Sequence, residues 1–206
     1  MKTIHLYIAL LVWVLLPIVT LAEENKLLET IKNESDVGVI YEYISGKRWT
    51  SENLIIMKAF WEKDFKTCPD LPREKLNDDI IRLALANVLL QAGRQCKIKI
   101  DMDEIHDFVK SKTMSNDIGI KSKATYLLGL AGYNEDIPFL SSIVKSEQQG
   151  FAEEAALALL FFNSSAALNA LRNLSKQVKR PSLKMTLQEL ATTYQNGGLT
   201  TKKCAK

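Results

Sequence analysis

Lys123-Ala124-Thr125-Tyr126-Leu127-Leu128-Gly129-Leu130-Ala131-Gly132, followed by Asp136-Ile137-Pro138-Phe139-Leu140, is the stretch on which the fold turns. Its first part is a run of small and leucine-like residues at helical spacing that ends on glycine, the residue best suited to the left-handed backbone of a helix C-terminus. A polar turn and a second amphipathic run follow. Shifting the chain by 31 residues lays Ala124 on Ala155, Leu128 on Leu159, Ile137 on Leu168, Leu140 on Leu171 and Ile143 on Leu174. Self-similarity at a fixed period of this length marks stacked units that share a core. The second copy places its polar turn at Asn163 to Ser165. A further shift carries Leu159 to Leu190, so Ser182 to Tyr194 reads as the first helix of a terminal copy. Upstream, Leu85, Leu89 and Gly93 fall 39 residues before Ala124, Leu128 and Gly132, the spacing of a repeat with an insertion in the loop that carries Cys96.

Working outward from this core, apolar residues recur at helical spacing almost everywhere, and no segment sustains the strict alternation of a half-buried strand. Lys97-Ile98-Lys99-Ile100 alternates but is too short to make a sheet. Glu24 to Lys32 and Asp36 to Ser45 read as short helices, the second closing at Gly46. Thr50 or Ser51 caps a helix expected to reach Phe65, with Leu54, Met57, Phe60 and Trp61 on one face. Pro69 and Pro72 then forbid helical continuation. A helix from Glu74 to Ala92 is expected next, with Gly93 as its cap, and Asp101 with Glu104 three residues on has capping-box spacing.

On these residues the chain resembles the HEAT-like repeat family, whose pattern is an alanine-leucine helix, a glycine turn and a second helix. The resemblance covers Ile120 to Val178 well, Asp78 to Lys112 loosely, and the region before Thr67 hardly at all. It implies an all-α fold, a right-handed α-solenoid of antiparallel helical hairpins whose surface binds protein. The family carries no catalytic residues to transfer.

The N-terminus reads as a signal peptide over residues 1–22. Lys2 supplies the positive start, Ile4 to Ala22 carries no formal charge, and Thr20-Leu21-Ala22 closes on small residues at the cleavage site. The alternative is a retained anchor, since the run is only slightly shorter than a span of about 20 residues. Cleavage leaves 184 of the 206 residues, opening at Glu23. A single helical-repeat domain over 23–198 and a polar tail over 199–206 are expected. With Lys2 removed, 26 basic face 24 acidic side chains, and the two signs alternate along the chain. That balance is no electrostatic footprint for nucleic acid. The compartment implied is periplasmic or secreted.

Export makes a disulfide reasonable for the three cysteines. Cys68 with Cys96 is the obvious pair, but a helix between them would hold its ends far outside the roughly 7 Å that a bridge requires. A pairing of Cys204 with either one, and buried thiols, remain as alternatives.

Chemistry is sparse. His106 is the one histidine after the leader, because His5 lies within it. Zinc sites built on several imidazoles are therefore excluded, as is a Gly-x-Ser-x-Gly elbow, which the sequence lacks. Asp103, His106 and Asp107 share one helix face, and the ordinary reading of such a set is a charged, solvated surface. No metal, cofactor or catalytic residue is assigned. Phe60, Trp61, Phe161 and Phe162 recur among leucines and read as core. Asn33, Asn163 and Asn173 begin Asn-x-Ser triplets, which bear on function only in a eukaryotic secretory pathway.

One surface is singled out. With Leu168, Leu171, Leu174 and Val178 inward, the second helices expose Arg172 and Lys176, and the 31-residue shift relates Lys145 to Lys176. A basic ridge of Lys145, Arg172 and Lys176 facing an acidic protein partner is the functional reading; solvated lysines are the plain one. The expectation is a non-catalytic protein-binding module, an immunity or inhibitor protein that occludes an envelope-acting enzyme or toxin. The alternative is an accessory or scaffold subunit of a cell-envelope assembly.

Overall fold

A computed structural model describes residues 26–146 and 148–195. The expected signal peptide (1–22), the expected polar tail (199–206) and Cys204 lie outside the described residues. The fold is all-α, with no strand among the described residues. The chain divides into two compact units, one ending at Leu85 and the other beginning at Ala86.

In the first unit, α1 (residues 26–33), α2 (Val37–Ser45) and α3 (Ser51–Glu62) precede a short 3-10 turn at Arg73–Lys75 and the start of α4 (Asp79–Arg94). The Asp36 carboxylate accepts the Gly38 N–H at 2.7 Å, and Thr50 accepts that of Asn53 at 3.3 Å, so both helices begin on a side chain that satisfies an orphan donor. Leu27, Ile31, Ile40, Ile44, Met57 and Phe60 supply the apolar interior. Helix α3 stops three residues short of Phe65. Lys63 turns left-handed at φ 56°, its N–H bonding to Phe60 O and that of Asp64 to Ala59 O at 2.8 Å, a Schellman closure without glycine.

The helix expected from Glu74 begins later, at Asp79. Oδ1 of Asp78 accepts the N–H groups of Ile80 and Ile81 at 2.9 and 3.0 Å, which makes Asp78 the cap that the apolar pattern concealed. Its far end also differs from expectation. The helix runs through Gly93 to Arg94, and Cys96, at φ 59°, is the left-handed residue, with Lys97 N–H bonded to Ala92 O. Gly93 instead lies under Ile100, whose Cδ1 would sit 3.0 Å from an added Cβ.

The second unit continues with α5 (Met102–Lys112), α6 (Ile118–Ala131), α7 (Ile137–Ser146), α8 (Phe151–Leu160), α9 (Ser165–Gln177) and α10 (Pro181–Gln195). Asp101, Asp117 and Ser164 cap α5, α6 and α9. Gly132 closes α6 in the left-handed region at φ 77°. Helices two apart in sequence touch: α6 lies on α8, α8 on α10, and α7 on α9. Each second helix also packs on the next first one, α5 on α6, α7 on α8 and α9 on α10. Leu128, Leu140, Leu159 and Leu171, the residues matched by the 31-residue shift, are all fully buried. Leu168, expected to point inward, is half-buried.

Two contacts fix the spacing between α6 and α8. A Cβ on Gly129 would fall 2.7 Å from both Cα and C of Ala158, so only glycine lets the two backbones come this close. Arg94, at the end of α4, donates from Nη1 to the carbonyls of Gly129 and Leu130 at 3.2 and 3.0 Å and from Nη2 to that of Phe161. One guanidinium thus satisfies carbonyls at the C-terminal ends of two helices, where the backbone leaves acceptors unpaired and the helix dipole favours a cation.

The disulfide expectation is corrected at Cys68. Its thiol is unbridged and buried, and its N–H bonds to Asp64 O in the turn after α3. Cys96 is at the far end of α4, whose 16 residues measure about 24 Å at about 1.5 Å per residue.

Candidate functional site

The charged face expected on α5 is built differently. Asp103, His106, Asp107 and Lys110 follow one another at helical spacing, but His106 is buried, its side chain 5% exposed. The cause is Asp136, 30 residues on, in the turn Asn134–Asp136 that leads into α7. Its side chain is 1% exposed, and Oδ2 lies 2.7 Å from Nε2 of His106. An ionised carboxylate only accepts, so Nε2 carries the proton and donates. Lys110 Nζ lies 2.9 Å from Oδ1 of the same carboxylate. Tyr133 stacks on the imidazole with ring centroids 4.1 Å apart, and its hydroxyl donates to Asp103. Asp107 faces Nδ1 at 3.5 Å from the solvent side.

The electrostatics follow from this geometry. The Asp136 carboxylate holds the Lys110 ammonium charged above its ordinary range. Burial, then the hydrogen bond to Asp103, pushes the Tyr133 hydroxyl well up. Oδ2 of Asp136 is engaged by His106 and Oδ1 is ion-paired to Lys110, with the Tyr133 ring covering one face of the imidazole. The cluster is thus a polar lock between α5 and the start of α7. Asp136 carried no sequence signal beyond its place ahead of an amphipathic run, and Tyr133 none. No group of three or more His, Cys, Asp or Glu side chains among the described residues is arranged to hold a metal ion.

The ridge residues lie elsewhere in the second unit. Lys145 stands in the last turn of α7, while Arg172 and Lys176 stand one turn apart on α9; all three are exposed. Lys145 shares a polar cleft of about 440 Å³ with Ser146, Gln177, Val178 and Lys179, so the structure brings it to the end of α9. Lys179, just beyond α9, is the residue of this surface that repeat-matching missed, because it falls outside the shifted helices. Comparison with protein-family models, with curated proteins and with solved structures gave no match. The functional reading therefore rests on residues and geometry.

Proposed function

We propose that the chain is an exported, non-catalytic protein-binding module, an immunity or inhibitor protein that covers the working surface of an envelope-acting enzyme or toxin. In this reading the second unit is a short right-handed solenoid of HEAT type. The observation that carries it is the side-by-side packing of α7 and α9, whose outer positions at Asn169, Arg172, Asn173, Lys176 and Lys145 are polar and exposed. Repeated helices aligned in this way offer a flat, rigid surface suited to occlusion. The one histidine after the leader is enclosed by Asp136 and Tyr133, which leaves it committed to packing rather than to a substrate. No helix among the described residues is long and apolar enough to cross a membrane.

The test is isolation from the envelope fraction of the native cell under gentle lysis. A stoichiometric complex should elute, its partner identifiable by mass spectrometry, and the purified chain should suppress that partner's enzymatic or toxic activity. Elution of the chain alone, or unchanged activity of the captured partner, refutes the reading. Mass spectrometry of the same sample should find the mature N-terminus at Glu23; an intact Met1 in the membrane fraction would refute export by cleavage.

A further inference from the structure

Helix α2 has one charged residue, Glu42, among its nine, and it buries only part of its apolar surface. Ile40 and Ile44 are fully buried, while Val39 is 49% exposed and Tyr43, at i+4 and so on the same side, is half-buried. The turn Gly46-Lys47-Arg48-Trp49 follows directly. The Trp49 ring meets that of Tyr43 edge-on, with centroids 5.6 Å apart, and its Nε1 donates to Ile44 O at 2.7 Å. The one polar atom of the indole is thus committed to the backbone, and the rest of the ring is carbon. Lys47 Nζ stands 3.9 Å from the centre of the Tyr43 ring and 5.8 Å from that of Trp49. A ring holds an ammonium in place without neutralising it. Lys47 and Arg48 are both exposed, and neither meets a carboxylate among the described residues.

We infer that Val39, Tyr43 and Trp49, together with Lys47 and Arg48, dock the first unit on an anionic phospholipid surface, the rings lying at the level of the headgroups and the two cations on lipid phosphates. The patch joins the residue types that such an interface selects: Trp and Tyr at the boundary between headgroups and acyl chains, a small apolar side chain beside them, and Lys and Arg facing anionic headgroups. Charge complementarity argues for the lipid phosphates, because Lys47 and Arg48 have no acid of their own and each cation near an anionic surface adds to the attraction. Size argues against a protein partner at this place. A standard protein interface takes about 20–30 residues a side and a matching relief, whereas a bilayer surface takes a few anchors and needs no matched shape. Glu42 is the one acid between Val37 and Ser51, and it is exposed, so it opposes the docking and gives the inference a signed test.

The probe is a vesicle of phosphatidylglycerol and phosphatidylcholine in equal parts, the phosphatidylcholine brominated along its acyl chains, titrated at low ionic strength against the full mature chain. Trp49 is the reporter, since Trp13 falls in the expected leader and Trp61 is buried. Wild type should sediment with the vesicles and lose tryptophan fluorescence to the bromine, both effects fading as salt is added. Vesicles of brominated phosphatidylcholine alone should bind at least about tenfold more weakly. Lys47→Glu/Arg48→Glu should bind the anionic vesicles at least about tenfold more weakly while melting as wild type does, because exposed substitutions barely alter stability. Glu42→Gln should bind about two- to fivefold more tightly. A charge-matched control in the second unit, Lys97→Glu/Lys99→Glu, alters exposed lysines and should stay within about threefold of wild type. No sedimentation of wild type, sedimentation without quenching, or equal losses in both charge-reversed variants overturns the site. Weaker binding by Glu42→Gln overturns the charge argument. Tighter binding of single-stranded DNA than of the vesicles overturns the partner class, as does a native protein complex lost in Lys47→Glu/Arg48→Glu while vesicle binding is kept.

Discussion

Nε2 of His106 and Oδ2 of Asp136 are 2.7 Å apart, 30 residues apart in sequence, and both side chains are almost fully withdrawn from water. Such a pair is costly to halve. Without His106 the Asp136 carboxylate stays buried against Lys110 alone, and without Asp136 the imidazole and the ammonium lose their shared acceptor. Asp136→Ala and His106→Leu should each lower the unfolding free energy by about 3–5 kcal/mol. The double variant should cost less than the sum, with a coupling of about 0.5–3 kcal/mol in urea titrations. Additive losses would show that the two side chains do not act as a unit.

Gly129 gives a second test. A methyl group there meets the Ala158 backbone, which has no rotamer to yield, so α6 and α8 must separate. Gly129→Ala, ordinarily favourable inside a helix, should instead destabilise by about 1–3 kcal/mol in thermal melts. Leu159→Ala, at the same interface, should cost about 2–5 kcal/mol. A stabilised Gly129→Ala variant would place the two helices further apart.

Arg94 provides a third. Arg94→Met keeps much of the aliphatic stem but strips the donors from Gly129 O, Leu130 O and Phe161 O. Each buried acceptor left bare costs about 1–3 kcal/mol. Amide exchange should accelerate in the last turns of α6 and α8 before it does in α9. Uniform acceleration throughout the unit would instead mean that the arginine adds only general stability.

The alkaline limb gives a fourth. Lys110 and Tyr133 both have folded pKa values raised above their unfolded ones, near 10.5 and 10.0. Each therefore stabilises fully below about pH 10 and loses that contribution as pH rises through its folded value. Urea midpoints should fall above about pH 10, and Lys110→Met/Tyr133→Phe should fall less steeply. Parallel curves for the two proteins would assign the alkaline loss to other groups.

How much of this was legible in the sequence depends on the range of the interaction. Leu128, Leu140, Leu159 and Leu171 announced their burial because helix periodicity and the 31-residue shift agreed, and Asp36, Thr50, Asp101 and Gly132 were readable as caps because capping chemistry is local. Left-handed Lys63 and Cys96 were not readable, since their closures use backbone bonds that any residue can make. His106 was assigned to a solvated face because Asp136 comes from a turn 30 residues away. Arg94 gave no signal for the same reason: its acceptors lie 35 to 67 residues downstream.

That reach of Arg94 bears on how such a chain can change length. Arrays of near-identical units can gain or lose one unit with little penalty when each touches only its neighbours. Here a single guanidinium reads the ends of both α6 and α8. Shortening or lengthening the segment between the two helices would move one of these ends away from the guanidinium, so the length of α7 and its loops is constrained by a side chain that lies outside them.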